Sequence, residues 1–437
     1  MKVLKFGGTS VGKPERMHQV ARIITGDQSP KIVVLSALSG TTNSLVSIGE
    51  ALKEKDRAAF SKIYYELYDH YKVFVEGLLS DESQKKVAAS IIEEHFAYIK
   101  SLERKTYSDA INKELLAQGE LLSTKLFYTY LQEQKLDSRL LSALDFMYID
   151  EDKEPDLVYI ENELNKQLKE NENVDLFITQ GFICVNHEGA IDNLKRGGSD
   201  YSASLIGGAI IAEEVQIWTD IDGMHNNDPR IVDKTFPIAE LSFDEAAELA
   251  YFGAKILHPS SIWPAQKFDI PVLLKNTMDP EAHGTIIRGE SKASGIKAIA
   301  AKDNIIAIKI KSSRMLLAYG FLRKVFEVFE KFKTPIDMIT TSEVAVSLTI
   351  DNSSHLEEIV KELNEFGVVT IDSNQTIICV VGDFVVEKRG IVKKVFDSLG
   401  DIPIRMISYG GSRHNISILI SSIYKKETLQ SLNDGLF

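Results

Sequence analysis

KVLKFGGTSVGK, residues Lys2–Lys13, decides how the rest of the chain is read. Lys2–Phe6 has the apolar content of a short buried strand, and Gly7-Gly8 breaks it at once. A strand running into a glycine-rich turn is a frame for holding phosphates. The spacing from Gly7 to Gly12-Lys13 imitates the P-loop. Pro14, however, stands where that loop needs a Ser or Thr hydroxyl for magnesium. Lys5, just before the turn, has no place in the P-loop scheme either. A different phosphate-binding loop accounts for these residues better, with a plain structural turn as the alternative.

Working outward, KIVVL (31–35) is a second strand, running into the small-residue loop SALSGTTN (36–43). From Ser44 to Gln134 apolar residues recur at steps of three and four, which predicts a block of amphipathic helices. Strand signals return at DLFIT (175–179), VQIWT (215–219) and PVLL (271–274). This alternation argues for an α/β domain with a largely parallel sheet. The Gly-, Ser- and Pro-rich stretch 276–295 closes it, so the first domain is expected at 1–295 and a second region at 296–437.

The second region repeats itself. GFLRKVF (320–326) aligns with GIVKKVF (390–396), and IDMIT (336–340) with IRMIS (404–408). Each copy continues into an apolar strand, Val344–Ile350 or Asn415–Ile420. The order predicts two small α+β units with antiparallel sheets, at about 312–383 and 384–437, the second completed by a strand at 303–311. Two tandem copies suit a sensor better than a second catalytic domain.

Composition narrows the classes. The chain has 437 residues, with 50 basic against 63 acidic and a net charge of −13. An acidic chain is not built to bind nucleic acid or an anionic membrane. At 44% hydrophobic and 26% charged, it has enough apolar side chain for large cores, which excludes disorder as its main state. Cys184 and Cys379 stand far apart, so neither a disulfide framework nor a cysteine-rich zinc site is expected, and a reducing, cytoplasmic compartment is. Met1–Gly8 lacks the apolar core of a signal peptide, and no apolar run approaches membrane length.

Further motifs carry chemistry. In RGGSDYSA (196–203), Arg196 can fork onto a carboxylate or phosphate, and the glycines admit a ligand close to the backbone. Ser199 or Asp200 would cap a helix starting at Tyr201, whose N-terminus favours an anion. WTDIDG (218–223) followed by NDPR (227–230) places Thr219 and Asp220 at a strand end, where α/β sheets bind ligands. The loop lacks the acidic pattern of a calcium site. In FGAKILHP (252–259), Lys255 suits a phosphate, whereas His258-Pro259 reads as a helix boundary. Glu120, in GELLST (119–124), is by default a solvated carboxylate. No residues are spaced as a dedicated protein metal site.

Taken together with ITQGFI (178–183), these motifs resemble the aspartate kinases of the amino acid kinase family, in the family's order and over nearly the whole chain. The tail resembles the paired ACT regulatory domains of lysine-sensitive monofunctional members. An appended homoserine dehydrogenase is not expected. The resemblance implies a three-layer αβα kinase domain plus two ferredoxin-like ACT domains, ATP with Mg2+, and L-aspartate as phosphoryl acceptor. Lys5 and Asp200 would act at the reacting centre. Lys5, Phe6, Gly7, Gly8, Thr219, Asp220, His225, Arg230 and Lys255 would face ATP. At His225, related sequences often carry tyrosine. Thr42, Glu120, Arg196, Gly197, Gly198 and Ser199 would hold aspartate. Met315, Gly320, Phe321, Leu322, Asp337, Ser342 and Glu343 would form a lysine pocket in the first repeat. Asp337 faces Arg405 in the alignment, and its acidity suits a cationic amino acid. A homodimer through the ACT domains is implied, with a tetramer as the larger alternative. A catalytically silent amino-acid sensor and another carboxylate kinase of the same fold are the competing readings.

Overall fold

The structure is a computed structural model and describes residues 1–194, 197–253, 257–291, 295–311, 319–383 and 389–437. Arg196, Lys255 and Met315 lie outside them. The chain forms two compact units. One comprises Met1–Met224, Ala239–Phe243 and Leu257–Ser291; the other comprises His225–Ile238, Asp244–Ile256 and Lys292–Phe437.

The first unit begins with β1 (Lys2–Phe6), α1 (Gly8–Val11), α2 (Pro14–Thr25), β2 (Lys31–Leu35) and α3 (Thr41–Glu54). The helical block follows as α4 (Arg57–Leu78), α5 (Glu82–Leu102) and α6 (Asp109–Glu133). Asp56, Asp81 and Ser108 start these three helices by accepting hydrogen bonds from backbone N–H groups of the first turn. Phe96 of α5 meets Tyr64, Tyr68 and Tyr71 of α4 edge-on, joining the pair into one aromatic core. Next come β3 (Arg139–Leu140), α7 (Leu157–Glu170), β4 (Leu176–Gln180), β5 (Ile183–Val185), β6 (Ile191–Asn193), α8 (Gly198–Ile210), β7 (Val215–Thr219) and β8 (Glu240–Ser242). Helix α9 (Phe243–Tyr251) belongs to the other unit from its second residue on; α10 (Trp263–Lys267), β9 (Val272–Asn276) and β10 (Thr285–Arg288) complete the first.

Its sheet has the order β3-β4-β2-β1-β7-β9-β10-β8, and only the β9–β10 pair is antiparallel. All five residues of β2 and of β4 are buried, as central parallel strands covered on both faces must be. The mainly parallel α/β sheet is the expected fold class. The register positions the site: Phe6 pairs with Leu35 and with Trp218, and Leu35 pairs with Gln180. Gly7, Ser36, Gly181 and Thr219 therefore leave four parallel strands at the same level.

In the second unit β11 (Gly295–Lys311), α11 (Phe321–Lys331), β12 (Ile339–Thr341), β13 (Ala345–Ile350), α12 (Leu356–Leu363) and β14 (Val368–Asp383) precede α13 (Ile391–Leu399), β15 (Ile404–Tyr409), β16 (Asn415–Ser421) and α14 (Lys425–Leu436). These strands form one antiparallel sheet, β12-β13-β11-β14-β16-β15. Two separate small sheets were the expectation. They merge because β11 and β14 are long enough to serve both repeats. The pairing also corrects the completing strand. Ile306–Lys311 pairs with β13 of the first repeat, whereas Gly295–Lys302 lies against Ile377–Asp383, next to β16 of the second. The helices pack into two apolar cores, one around Val325 and Phe329 and one around Val395 and Leu432.

Candidate active site

The loops leaving β1, β2 and β4, with the start of α8, enclose a cleft of about 430 Å3 in the first unit. Backbone bonds extend the sheet one residue into this region: Ser36 N donates to Phe6 O (3.1 Å), Gly7 N to Trp218 O (3.2 Å) and Gly181 N to Leu35 O (3.0 Å). The turn after β1 is thus placed by backbone bonds, and its glycines have close neighbours. A Cβ on Gly8 would stand 3.1 Å from Ala37 O, and one on Gly7 would stand 3.3 Å from Lys5 Nζ.

Lys5 and Asp200 meet here. The Lys5 ammonium lies 2.6 Å from Asp200 Oδ1, both side chains being mostly buried. They come from β1 and α8, so the pair joins the phosphate-type turn to the helix that starts at the Gly-Gly motif. Ser199 and Asp200 are not caps, and the helix does not wait for Tyr201. It starts at Gly198 behind Gly197, which adopts a left-handed φ of 68°. Two glycines allow this tight entry, and the N-cap position carries no side chain to bond the first-turn N–H groups. Gly181 permits the close packing of α8: a Cβ there would lie 2.8 Å from Ser199 Cα. Ser199 Oγ in turn accepts a hydrogen bond from Ser36 Oγ (2.9 Å).

Glu120 departs most from its sequence reading. It sits mid-way along α6 and is 4% exposed. The helix approaches the 36–43 loop closely because residue 119 is glycine; a Cβ there would be 2.8 Å from Ala37 Cβ. Glu120 Oε1 accepts a long bond from Ala37 N (3.4 Å), while Oε2 is buried with no hydrogen-bond partner among the described residues. Burial pushes its pKa up to about 8, only partly opposed by the Ala37 N–H. A buried carboxylate oxygen lining an open cleft is a receptor for a cation.

Gly8, Thr42, Glu120, Gly198 and Ser199 all line the cleft, and Thr42 is exposed to it on the first turn of α3. Tyr71 fixes that turn through a 3.1 Å bond with Thr41. Neither α3 nor α8 has a side-chain N-cap, so two helix N-termini offer N–H groups to a carboxylate. Ser36, Ser39 and Phe182 also line it. Motif reading had not singled them out individually. Phe182 has one signal, visible only in the backbone: a left-handed φ of 67° in a bulky residue, held by its N–H bond to Ser202 Oγ (2.8 Å).

On the nucleotide side the expected residues divide. Thr219 and Asp220 stand at the end of β7 in this unit, the Thr219 hydroxyl donating to Asp220 Oδ1 (3.1 Å). Phe6 is a core residue, fully buried and stacked on Trp218 at 5.6 Å, so its side chain cannot serve a ligand. His225 and Arg230 belong to the second unit. There His225 Nδ1 lies 3.1 Å from Thr235 Oγ1, and Arg230 forks onto Asp228 at 2.9 and 2.7 Å.

Comparisons with known proteins identify the family. The amino acid kinase family profile matches residues 1–276, and an ACT domain profile matches 378–436. The chain belongs to the amino acid kinase family, in its aspartokinase branch. Over its full length it is 34% identical to the lysine-sensitive aspartokinase 3 of Escherichia coli, covering 99% of that protein. It is 36% identical to the chloroplastic aspartokinase 3 of Arabidopsis thaliana, covering 81% of it. Among solved structures, E. coli aspartokinase III in complex with aspartate and ADP (R-state) superposes with a TM-score of 0.86 at 33% identity, covering 100% of both chains. The same enzyme in complex with lysine and aspartate (T-state) gives 0.82, covering 100% of this chain and 99% of that one.

In the second unit the expected effector residues are spread over several environments. Gly320 takes a left-handed φ of 82° ahead of α11, as a helix-entry glycine does. Phe321 is 8% exposed and belongs to the core. Leu322, Ser342 and Glu343 are exposed. Asp337 is the one held by long-range polar contacts. Its side chain is 1% exposed and its Oδ1 is taken by Lys302 Nζ (2.7 Å) and Tyr251 OH (2.9 Å). Burial raises its pKa, against the pull of the Lys302 charge. Neither Lys302 nor Tyr251 was foreseen, since both contacts are long-range.

Proposed function

We propose that this chain transfers the γ-phosphoryl group of ATP to the β-carboxylate of L-aspartate, giving 4-phospho-L-aspartate, and that lysine inhibits it. The observation that carries the reading is the unpartnered, buried Glu120 Oε2 in a cleft shared with Thr42 and Ser199. It suits the α-ammonium of an amino acid, while the open N-termini of α3 and α8 suit its carboxylates. Arg196 would fork onto the α-carboxylate.

The acceptor, with a side-chain pKa near 3.9, is already ionised at neutral pH and needs no strong base. Catalysis then consists of positioning and charge stabilisation. Lys5, held at 2.6 Å from Asp200, supplies a fixed cation under the Gly7-Gly8 turn, where transferred phosphoryl oxygens would lie. Thr219 and Asp220, at the end of β7, would attend the nucleotide. Mg2+, bound with the phosphates, would neutralise their charge.

No helix among the described residues is long and apolar enough to cross a membrane, and the enzyme is read as cytoplasmic. The exposed Ile407 and Tyr409 on the edge strand β15 support homodimerisation through the regulatory sheets. The deciding experiment is an aspartate-dependent ADP-release assay, repeated with glutamate as acceptor and with lysine, threonine or methionine added. Aspartate-specific release suppressed by lysine is expected. No aspartate-dependent release would leave the sensor reading, and release with glutamate alone would mean another carboxylate kinase.

A further inference from the structure

Helix α9 is tied to the regulatory sheet along one face, at residues spaced three apart. Glu245 pairs with Lys297 of β11 at 2.7 Å, Glu248 accepts from Asn415 of β16, and Tyr251 donates to Asp337. Two residues on, Gly253 has a φ of 130°, and a Cβ there would come within 2.3 Å of Ala301 O. The stretch 251–253 is thus clasped against Ala301-Lys302. It also lies in a segment whose chain neighbours on both sides, Ala239–Phe243 and Leu257–Ser291, belong to the kinase unit. Asp244 adds an ion pair with His414 at 3.6 Å; among these α9 anchors, Tyr251 is the one that ends on a residue assigned to an effector.

That residue already holds an ammonium group. Lys302 Nζ lies 2.7 Å from Asp337 Oδ1, 2.9 Å from Asp351 Oδ2 and 4.3 Å from the centre of the Tyr251 ring. Asp337 Oδ2 is buried with no hydrogen-bond partner among the described residues. A ligand ammonium seated on that oxygen would put two cations on one buried carboxylate, and they repel each other. Lys302 has somewhere to go, because Asp351 is within bonding distance and more exposed, at 37% against 1%.

We propose that Lys302 is a built-in occupant of the regulatory carboxylate Asp337, and that Tyr251 is the positioning residue through which its displacement by a ligand ammonium is passed to α9. Lysine binding drives Lys302 onto Asp351 and takes the acceptor away from Tyr251. The kinase-connected segment loses the one anchor that depends on the effector site. This inference rests on the lysine reading of Asp337 given under Proposed function.

The test uses the full chain with L-lysine as probe. It measures binding by calorimetry in parallel with inhibition of aspartate-dependent ADP release. Lys302→Met, which removes the competitor, is expected to bind lysine about tenfold tighter, and Lys302→Arg to keep wild-type affinity. Tyr251→Phe is expected to bind lysine at least as tightly as wild type while losing most of the inhibition range. This split is one that a merely structural tyrosine would not produce. If Lys302→Met does not fold, Asp351→Asn serves instead: Lys302 then has no second partner, and lysine should bind about tenfold more weakly. Variants that bind and respond as wild type does would overturn the proposal while leaving the lysine reading intact. A wild-type chain that does not bind lysine would remove that reading, and this inference with it.

Discussion

Glu120 makes the substrate site pH-sensitive in a way that can be worked out before any assay. An ammonium group is received by the carboxylate, not by the carboxylic acid. With its pKa pushed up to about 8, the free protein at pH 7 has about one site in ten ionised, and at pH 6 about one in a hundred. The apparent dissociation constant for aspartate rises by the inverse of that fraction. Affinity should therefore fall roughly tenfold from pH 7 to pH 6 and level off above about pH 9. Binding also expels the proton, so calorimetry at pH 7 in two buffers of different ionisation heat should register close to one proton released per aspartate.

The same group acts on stability with a definite sign. The native state keeps the Glu120 proton up to about pH 8, whereas the unfolded chain loses it near the ordinary value of 4.5. Between those values the native state binds more protons, and its stability declines as pH rises. Aspartate, by pairing the bare carboxylate, should raise the melting temperature more at pH 9 than at pH 6. Glu120→Gln should bind weakly with a flat profile. Constant affinity from pH 6 to pH 8 without proton release would refute the assignment of Glu120 as the ammonium receptor.

Other expectations follow from the same geometry. Lys5→Ala should lower kcat by about 10²-fold or more with little change in aspartate affinity, read by steady-state kinetics beside calorimetry; near-normal turnover would deny Lys5 its role. Gly181→Ala forces a Cβ to within 2.8 Å of Ser199 Cα, so it should cost about 1–3 kcal/mol in denaturant unfolding and weaken aspartate binding. Asp337→Asn should abolish lysine inhibition while aspartate phosphorylation persists. It is a cleaner variant than Asp337→Arg, which would bury a second cation against Lys302.

The sequence carried the local features and missed the ones that depend on distance. KIVVL and VQIWT could be read as strands because buried parallel strands are continuous apolar runs. Gly7-Gly8 and Gly197-Gly198 were legible because glycine marks turns wherever it falls. Glu120 was misread as solvated, since nothing within its helix says that the loop at Ala37 closes over it. The repeat was visible in GFLRKVF and GIVKKVF, yet the shared sheet was not: β11 stays paired with β14 across a slip after Lys302 and gains β13 only from Ile306. Tyr251 and Lys302 escaped for the same reason, as Asp337 lies 86 residues from one and 35 from the other.

Asp200 offers the sharpest test of how the phosphoryl transfer is arranged, because two roles for it predict different pH profiles. As a general base it would have to be ionised to take a proton, and kcat would fall with acid. But an aspartate β-carboxylate has no proton to give up at neutral pH. Its 2.6 Å contact with Lys5, both groups mostly buried, gives Asp200 another task, which is to hold that ammonium beneath the Gly7-Gly8 turn. Asp200→Asn keeps the shape and removes the charge that fixes Lys5, so kcat should drop by about 10²-fold. At saturating aspartate the profile reports the substrate complex, in which Glu120 is already ionised. Wild type and variant should then share the same shape from pH 6 to pH 8, displaced by a constant factor. A wild-type kcat that declines tenfold per unit on the acid side, set against a flat and uniformly low variant, would make Asp200 a base after all.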